Sequence, residues 1–218
     1  MKIITFYTSS HRPLFDRFLS TLRLTNPQLE VAATEMPQRS RTGVFGTVGF
    51  NESMQDKIDV ILSHWSQIRN GEHFLFSDCD VQFLKEFVTD IQSYDQSKDI
   101  LFQDNVDCFC AGFMYCKKTA LLKDFLLMVK KLTPQHQMDD QGAINYLLDR
   151  GEHGLSVGLL PRTKYFTVAA ATGERVWRGE KFQVPPEVLV HHANWTVGIR
   201  RKIRLMDVVS SSVGSVRL

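Results

Sequence analysis

In residues 72–84, EHFLFSDCDVQFL, a short apolar run ends in two aspartates one residue apart, Asp78 and Asp80. Phe74-Leu75-Phe76 reads as a buried strand, and ionised carboxylates at the end of such a strand are costly unless a cation or hydrogen-bond donors compensate them. A divalent metal compensates both at once. Side chains at i and i+2 of an extended segment face the same way, so Asp78 and Asp80 can converge on one hard cation while Cys79 points elsewhere. A strand followed by an Asp-rich turn is the plainer alternative. It accounts for either aspartate alone but leaves the spaced pair without a reason.

Other residues invite chemistry with less specificity. In Met138-Asp139-Asp140-Gln141-Gly142, ahead of the helical AINYLL, one aspartate can serve as a helix cap, but two adjacent acids and a glutamine exceed what a cap requires. Lys57 falls near the start of a helix, where the dipole disfavours a cation, so it answers to a phosphate or a carboxylate unless it is simply solvated. Gly112 interrupts CFCAGFMYC, and its missing side chain leaves room for a ligand or a neighbouring backbone. Arg200, Arg201, Lys202 and Arg204 crowd the end of the chain as an anion site or a solvated helix face. Cys79, Cys108, Cys110 and Cys116 lack paired CxxC spacing, which argues for reduced thiols over zinc or a disulfide scaffold.

These residues need a scaffold, and the chain supplies a recognisable start. KIITFYT at 2–8 is a strand, Leu14, Phe15, Phe18, Leu19 and Leu22 mark a helix over 14–24, and LEVAATEM at 29–36 is a second strand. Strand, helix, strand in that span is the βαβ unit of a parallel sheet. A Gly/Ser/Thr-rich loop is expected over 37–52, helices over 53–69, 84–94 and 119–132, and shorter strands and turns over 155–190. The final DVVSSSVGSVRL has linker composition, which sets a single domain at 1–207, a tail at 208–218, and a place within a longer chain as expectations.

At 218 residues, 43% hydrophobic, 23% charged and net +2, the chain has the composition of one globular domain and gives no argument for a nucleic-acid partner. No window is apolar enough for a membrane span or a signal peptide, so a cytoplasmic location is expected.

Together the segments from KIITFYT to HHANWTVGIRRK resemble the nucleotide-diphospho-sugar transferase family, the glycosyltransferases of GT-A fold. The resemblance implies an α/β, Rossmann-like three-layer αβα fold with a mostly parallel central sheet. It also implies Mn²⁺ or Mg²⁺ held directly by Asp80 against the diphosphate of a nucleotide-sugar donor and completed by His192, with His191 as the competing ligand, while Asp78 touches the ribose or binds the metal through water. By the same resemblance Tyr7, Thr8 and Ser9 meet uridine, Lys57 faces the nucleotide, and Gly112, Gln141, Gly198 and Lys202 complete the donor site. Here the gap from His192 to Gly198 is longer than in some members. The implied reaction moves a sugar from a UDP-sugar to a hydroxyl of a glycan or glycoprotein, with retention favoured; in an inverting reaction Asp139 or Asp140 is the general base. Two other classes compete. Asp78-Cys79-Asp80-Val81 resembles the nucleophile motif of haloacid-dehalogenase-like phosphatases, although that motif belongs on a first strand, and Trp177 with Trp195 suits a non-catalytic carbohydrate-binding module.

Overall fold

The computed structural model describes residues 1–40, 48–135, 138–151, 153–173 and 176–214. Strand β1 (Lys2–Thr8), helix α1 (Arg12–Thr25) and strand β2 (Glu30–Met36) form the expected βαβ unit, with β1 and β2 paired in parallel from Lys2↔Glu30 to Thr8↔Met36. Pro13 lies in the first turn of α1, where a missing N–H costs nothing, and Leu14, Phe15, Phe18 and Leu22 form its buried stripe. Helix α2 (Val48–Ser63) leads to β3 (His73–Ser77), which lies parallel to β1 on the side away from β2.

After β3 the chain makes a three-residue strand, β4 (Val81–Phe83), before the short helix α3 (Val88–Ser93). Strands β5 (Ile100–Asp104) and β6 (Phe109–Lys117) pair as antiparallel neighbours, and helices α4 (Ala120–Gln135) and α5 (Asp140–Arg150) follow. Gly151, at φ 67°, closes α5 in the left-handed conformation that stops a helix. Next come β7 (Val157–Leu160), β8 (Tyr165–Thr167), the one-turn α6 (Val168–Thr172), β9 (Val190–His192) and α7 (Ile199–Ser212).

The six-stranded sheet runs β2-β1-β3-β6-β5-β7, with parallel pairs β1–β2, β1–β3 and β5–β7. Alternate side chains leave opposite faces and build two cores. Ile3, Leu75 and Phe113 pack with Phe18 of α1 and Leu205, Met206 and Val209 of α7, while Ile4, Phe76 and Met114 pack with Ile61 of α2, Phe125 of α4 and Ile144 of α5. The result is a three-layer αβα fold.

A second sheet, β4-β9-β8, packs into the core shared with α1 and α7. The helix expected over 84–94 is confined to Val88–Ser93, and the sheet itself leaves no sequence signal because three-residue strands carry too little periodicity to register as a pattern. Three further expectations need correction. The segment 109–117 is one uninterrupted strand through Gly112. The loop placed at 37–52 gives way to α2 from Val48, and its residues 41–47 lie outside the described residues. Residues 208–212 belong to α7 rather than to a tail, because Val209 is a core residue that extends the helix's apolar stripe; 215–218 lie outside the described residues.

Gln82 fastens α7 to the small sheet. Its buried amide donates to His191 Nδ1 (3.0 Å) and Met206 O (3.0 Å), and its Oε1 accepts from Ser210 (3.1 Å). Gln82→Ala leaves these buried groups unpaired and is expected to lower stability by about 1–3 kcal/mol in urea denaturation. An unchanged unfolding midpoint would show that the amide does not hold α7.

Candidate active site

The chain between β3 and β4 is pinned on both sides of Cys79. Asp78 N donates to Gly112 O (2.8 Å), and Ala193 N donates to Asp80 O (3.0 Å). Cys79 turns into the core beside α1, as alternation requires. Antiparallel pairing of β4 with β9 sets Val81 opposite His192 and Gln82 opposite His191. His192 lies with the aspartates, and His191 faces Gln82 and the ring of Phe166. Ligand atoms of Asp78, Asp80 and His192 all lie within 4.8 Å of one another.

Gly112 makes this convergence possible. A Cβ there would press into His192 Cε1 and stand 2.7 Å from Asp78 Oδ2. The space expected for a ligand is therefore taken by two of the site's own side chains.

Buried charge is balanced within the cluster. Asp80 accepts from His192 Nε2 (3.2 Å) and pairs with Lys202 Nζ, which also donates to Ala193 O (3.0 Å). Lys57 is not solvated: only 2% of its side chain is accessible, and its Nζ lies 2.7 Å from Asp140 Oδ2 and 3.1 Å from Asp78 Oδ1. Burial works against the Lys57 charge, but Asp140 and Asp78 outweigh it and raise the pKa. Burial pushes the Asp78 carboxyl up despite Lys57. Burial opposes ionisation of Asp80 as well, yet Lys202 and His192 hold it well below the usual carboxylate range. Desolvation disfavours the charged His192 ring, but Asp80 and Cys110 overcome it and raise its pKa to about 10. His191, desolvated beside that charge, falls to about 3 and stays neutral.

Two carboxylates and an imidazole suit Mn²⁺, which takes mixed oxygen and nitrogen ligands, and Asp80 already accommodates two cationic groups. The residues present fit a divalent cation.

The remaining expected residues fall into distinct settings. Thr8, at the end of β1, bonds His11 Nδ1 (2.9 Å), and Ser9 is exposed in the following turn. Tyr7 stacks on Phe15 (4.0 Å) and donates to Glu35 (3.2 Å). Asp139 caps α5 by accepting from Gly142 N (2.7 Å), and Gln141 accepts from Ala111 N (3.2 Å) on β6. Gly198, at φ 90°, starts α7 and allows Lys202 to turn inward, while Arg200, Arg201 and Arg204 are exposed. Trp177 is buried and donates to Glu180 O (2.9 Å), so it offers no sugar platform.

Several residues at the site had no distinguishing sequence pattern. Gln103 Oε1 lies 3.0 Å from His192 Nδ1, and Asn194 donates to Asn105 (3.2 Å). His11 feels the fields of Asp80, Lys202 and Asp78 after the larger effect of its own burial, which lowers its pKa.

Two outcomes are expected. Lys57→Met strands Asp140 and Asp78, and a fall in stability of about 3–5 kcal/mol should appear in chemical denaturation; a loss below 1 kcal/mol would contradict the buried pair. Metal must meet a neutral imidazole, and His192 stays protonated through neutrality up to about pH 10. Mn²⁺ uptake at pH 7 should therefore release about one proton, and apparent affinity should rise with pH through the neutral range. Calorimetry in buffers of different ionisation enthalpy measures this, and uptake without proton release would contradict it.

The sequence has no match among curated proteins. Solved structures share the fold. A glycosyltransferase involved in glycosylation of the major capsid of PBCV-1 aligns at TM-score 0.66 and 12% identity, covering 94% of this chain and 98% of its own. The galactosyltransferase LgtC, solved with donor and acceptor sugar analogues, aligns at 0.53 and 12% identity over 100% of this chain and 98% of its own. The apo glycosyltransferase GlyE of Streptococcus pneumoniae TIGR4 aligns at 0.53 and 10%, over 74% of this chain and 45% of its own. Residues 17–206 match the family model for nucleotide-diphospho-sugar transferases, and with that match the chain belongs to this family of GT-A glycosyltransferases.

Proposed function

We propose that the protein transfers a sugar from a UDP-sugar to a hydroxyl of a glycan or glycoprotein, using Mn²⁺ or Mg²⁺ held by Asp78, Asp80 and His192. The observation that carries this reading is the convergence of those three residues with Lys202 on one point between the two sheets. When bound, the cation supplies Lewis-acid stabilisation of the charge that develops on the departing diphosphate.

The chain's own residues divide the remaining work. Lys202 lies in the first turn of α7, where its ammonium and the helix N-terminus both favour an anion such as the diphosphate. Thr8 and Ser9 stand at the carboxyl end of β1, the usual side for a nucleotide in an open α/β sheet, and offer hydroxyls to the nucleoside. Tyr7 supports that strand end through Phe15 and Glu35. Gly112 and Gln141 hold the floor of the site, one by keeping space clear and the other by fixing β6 to α5.

Asp139 and Asp140 bear on stereochemistry. The first is committed to the α5 N-terminus, and the second, 2% accessible, to Lys57. Neither is free to take a proton from an acceptor hydroxyl, which supports retention and a donor-positioning role for this pair. The capsid-glycosylating enzyme and the galactosyltransferase, as structural relatives, support a sugar or glycoprotein acceptor. A phosphatase reading loses support because the Asp78 strand is β3, behind a complete βαβ unit.

A thermal-shift screen of nucleoside diphosphates with and without Mn²⁺ tests the reading. UDP with Mn²⁺ at about 100 times its Kd should stabilise by about 2.7 kcal/mol, a shift of roughly 5–10 °C for a chain this size. Asp80→Asn should abolish both that shift and sugar transfer. Full transfer in chelator, or an undiminished Mn²⁺-dependent shift in Asp80→Asn, would overturn the metal-dependent mechanism.

A further inference from the structure

The side chain of Gln103 is completely buried near the end of β5. Pairing of β5 with β6 slips in register between Phe102 and Gln103, an irregularity of the kind that re-aims a side chain. The amide bridges three strands. Its Nε2 donates to Phe166 O on β8 at 3.2 Å, which leaves Oε1 facing His192 Nδ1 on β9 at 3.0 Å. An amide oxygen can only accept, so the hydrogen resides on His192 Nδ1. Cys110 Sγ, 3.6 Å from the same nitrogen, is a second acceptor there. Both contacts leave Nε2 pointing at Asp80.

We propose that Gln103 is the positioning residue of the site, holding His192 in the one tautomer and orientation that present Nε2 to the cation shared with Asp78 and Asp80. The proposal rests on the metal-site reading of that trio. A histidine that ligates through one nitrogen needs its other N–H bound by an acceptor, and loss of that acceptor weakens metal binding by about 10–100-fold. Here the acceptor is a neutral amide rather than a carboxylate. It therefore orients the ring without adding a fourth negative charge beside Asp78, Asp80 and Asp140. Because the same amide grips Phe166 O, it also ties the small sheet to the large one at the metal site.

Titration of the protein with Mn²⁺ alone, followed by the EPR signal of the free ion, tests the assignment in three forms. Gln103→Leu keeps the volume but removes the acceptor, and its Kd should rise about 10–100-fold over wild type. Gln103→Glu keeps an oxygen toward His192 Nδ1 and should bind more tightly than Gln103→Leu. A folded Gln103→Leu with wild-type affinity, or equal weakening in both variants, overturns the role of Gln103. A wild-type protein that takes up no Mn²⁺ overturns the metal reading itself, so the two failures are distinguishable. A measurement on wild type needs no variant to fold: long-range ¹H–¹⁵N spectra of the histidines with Zn²⁺, a diamagnetic probe for the same N/O ligands, should show His192 protonated at Nδ1 and metal-bound at Nε2. Metal at Nδ1, or a His192 untouched by the probe, overturns the proposal.

Discussion

Three carboxylates, Asp78, Asp80 and Asp140, are drawn into one region of the interior, and the rest of the site follows from the need to neutralise them. An uncompensated buried carboxylate costs several kcal/mol, so each must meet a cation or lose its charge. Lys57 stands between Asp78 and Asp140, while Lys202 and His192 flank Asp80. These partners arrive on separate elements. Lys57 comes from α2, Asp140 from α5, His192 from β9 and Lys202 from α7, so the charge balance also fixes how those elements meet. Asp78 keeps 27% of its side chain accessible and marks the open side of the cluster.

The two sheets make different contributions. The six-stranded sheet carries Asp78 at the end of β3 and Gly112 on the adjacent strand, and helices on both faces bury it. The small sheet is buried along all three strands, joins the core beneath α1 and α7, and brings His192 to Asp80. Gly112 leaves room for that approach, because any side chain there would displace His192 or Asp78. An arrangement of this kind holds its ligands before a substrate arrives, which reduces the reorganisation required when charge develops on a leaving group.

Much of this was legible in the chain. The βαβ unit was readable because its strands and helix are long enough to show their periods, and the Asp78/Asp80 pair because spacing by two aims both side chains one way. Lys57 was legible only in part: its place near a helix start pointed to a phosphate or a carboxylate, but that the partners are Asp78 and Asp140 is settled by packing alone. Strands β4, β8 and β9 have three residues each, too few for alternation to be seen, so the partner of each histidine, Asp80 for His192 and Gln82 for His191, appears only in the fold. Gln103 gave no signal at all. One glutamine in ILFQD is ordinary, and its meaning depends on Phe166 and His192, both far along the chain.

The central claim is that Asp78, Asp80 and His192 bind one cation together with a nucleoside diphosphate. Pulsed EPR of the Mn²⁺–UDP complex addresses it most directly, because echo modulation detects nitrogen and phosphorus nuclei coupled to the ion. The account predicts one coupled imidazole ¹⁴N, absent in His192→Ala, together with ³¹P couplings from the diphosphate. Phosphorus couplings without the nitrogen, or a nitrogen coupling that survives in His192→Ala, would contradict it.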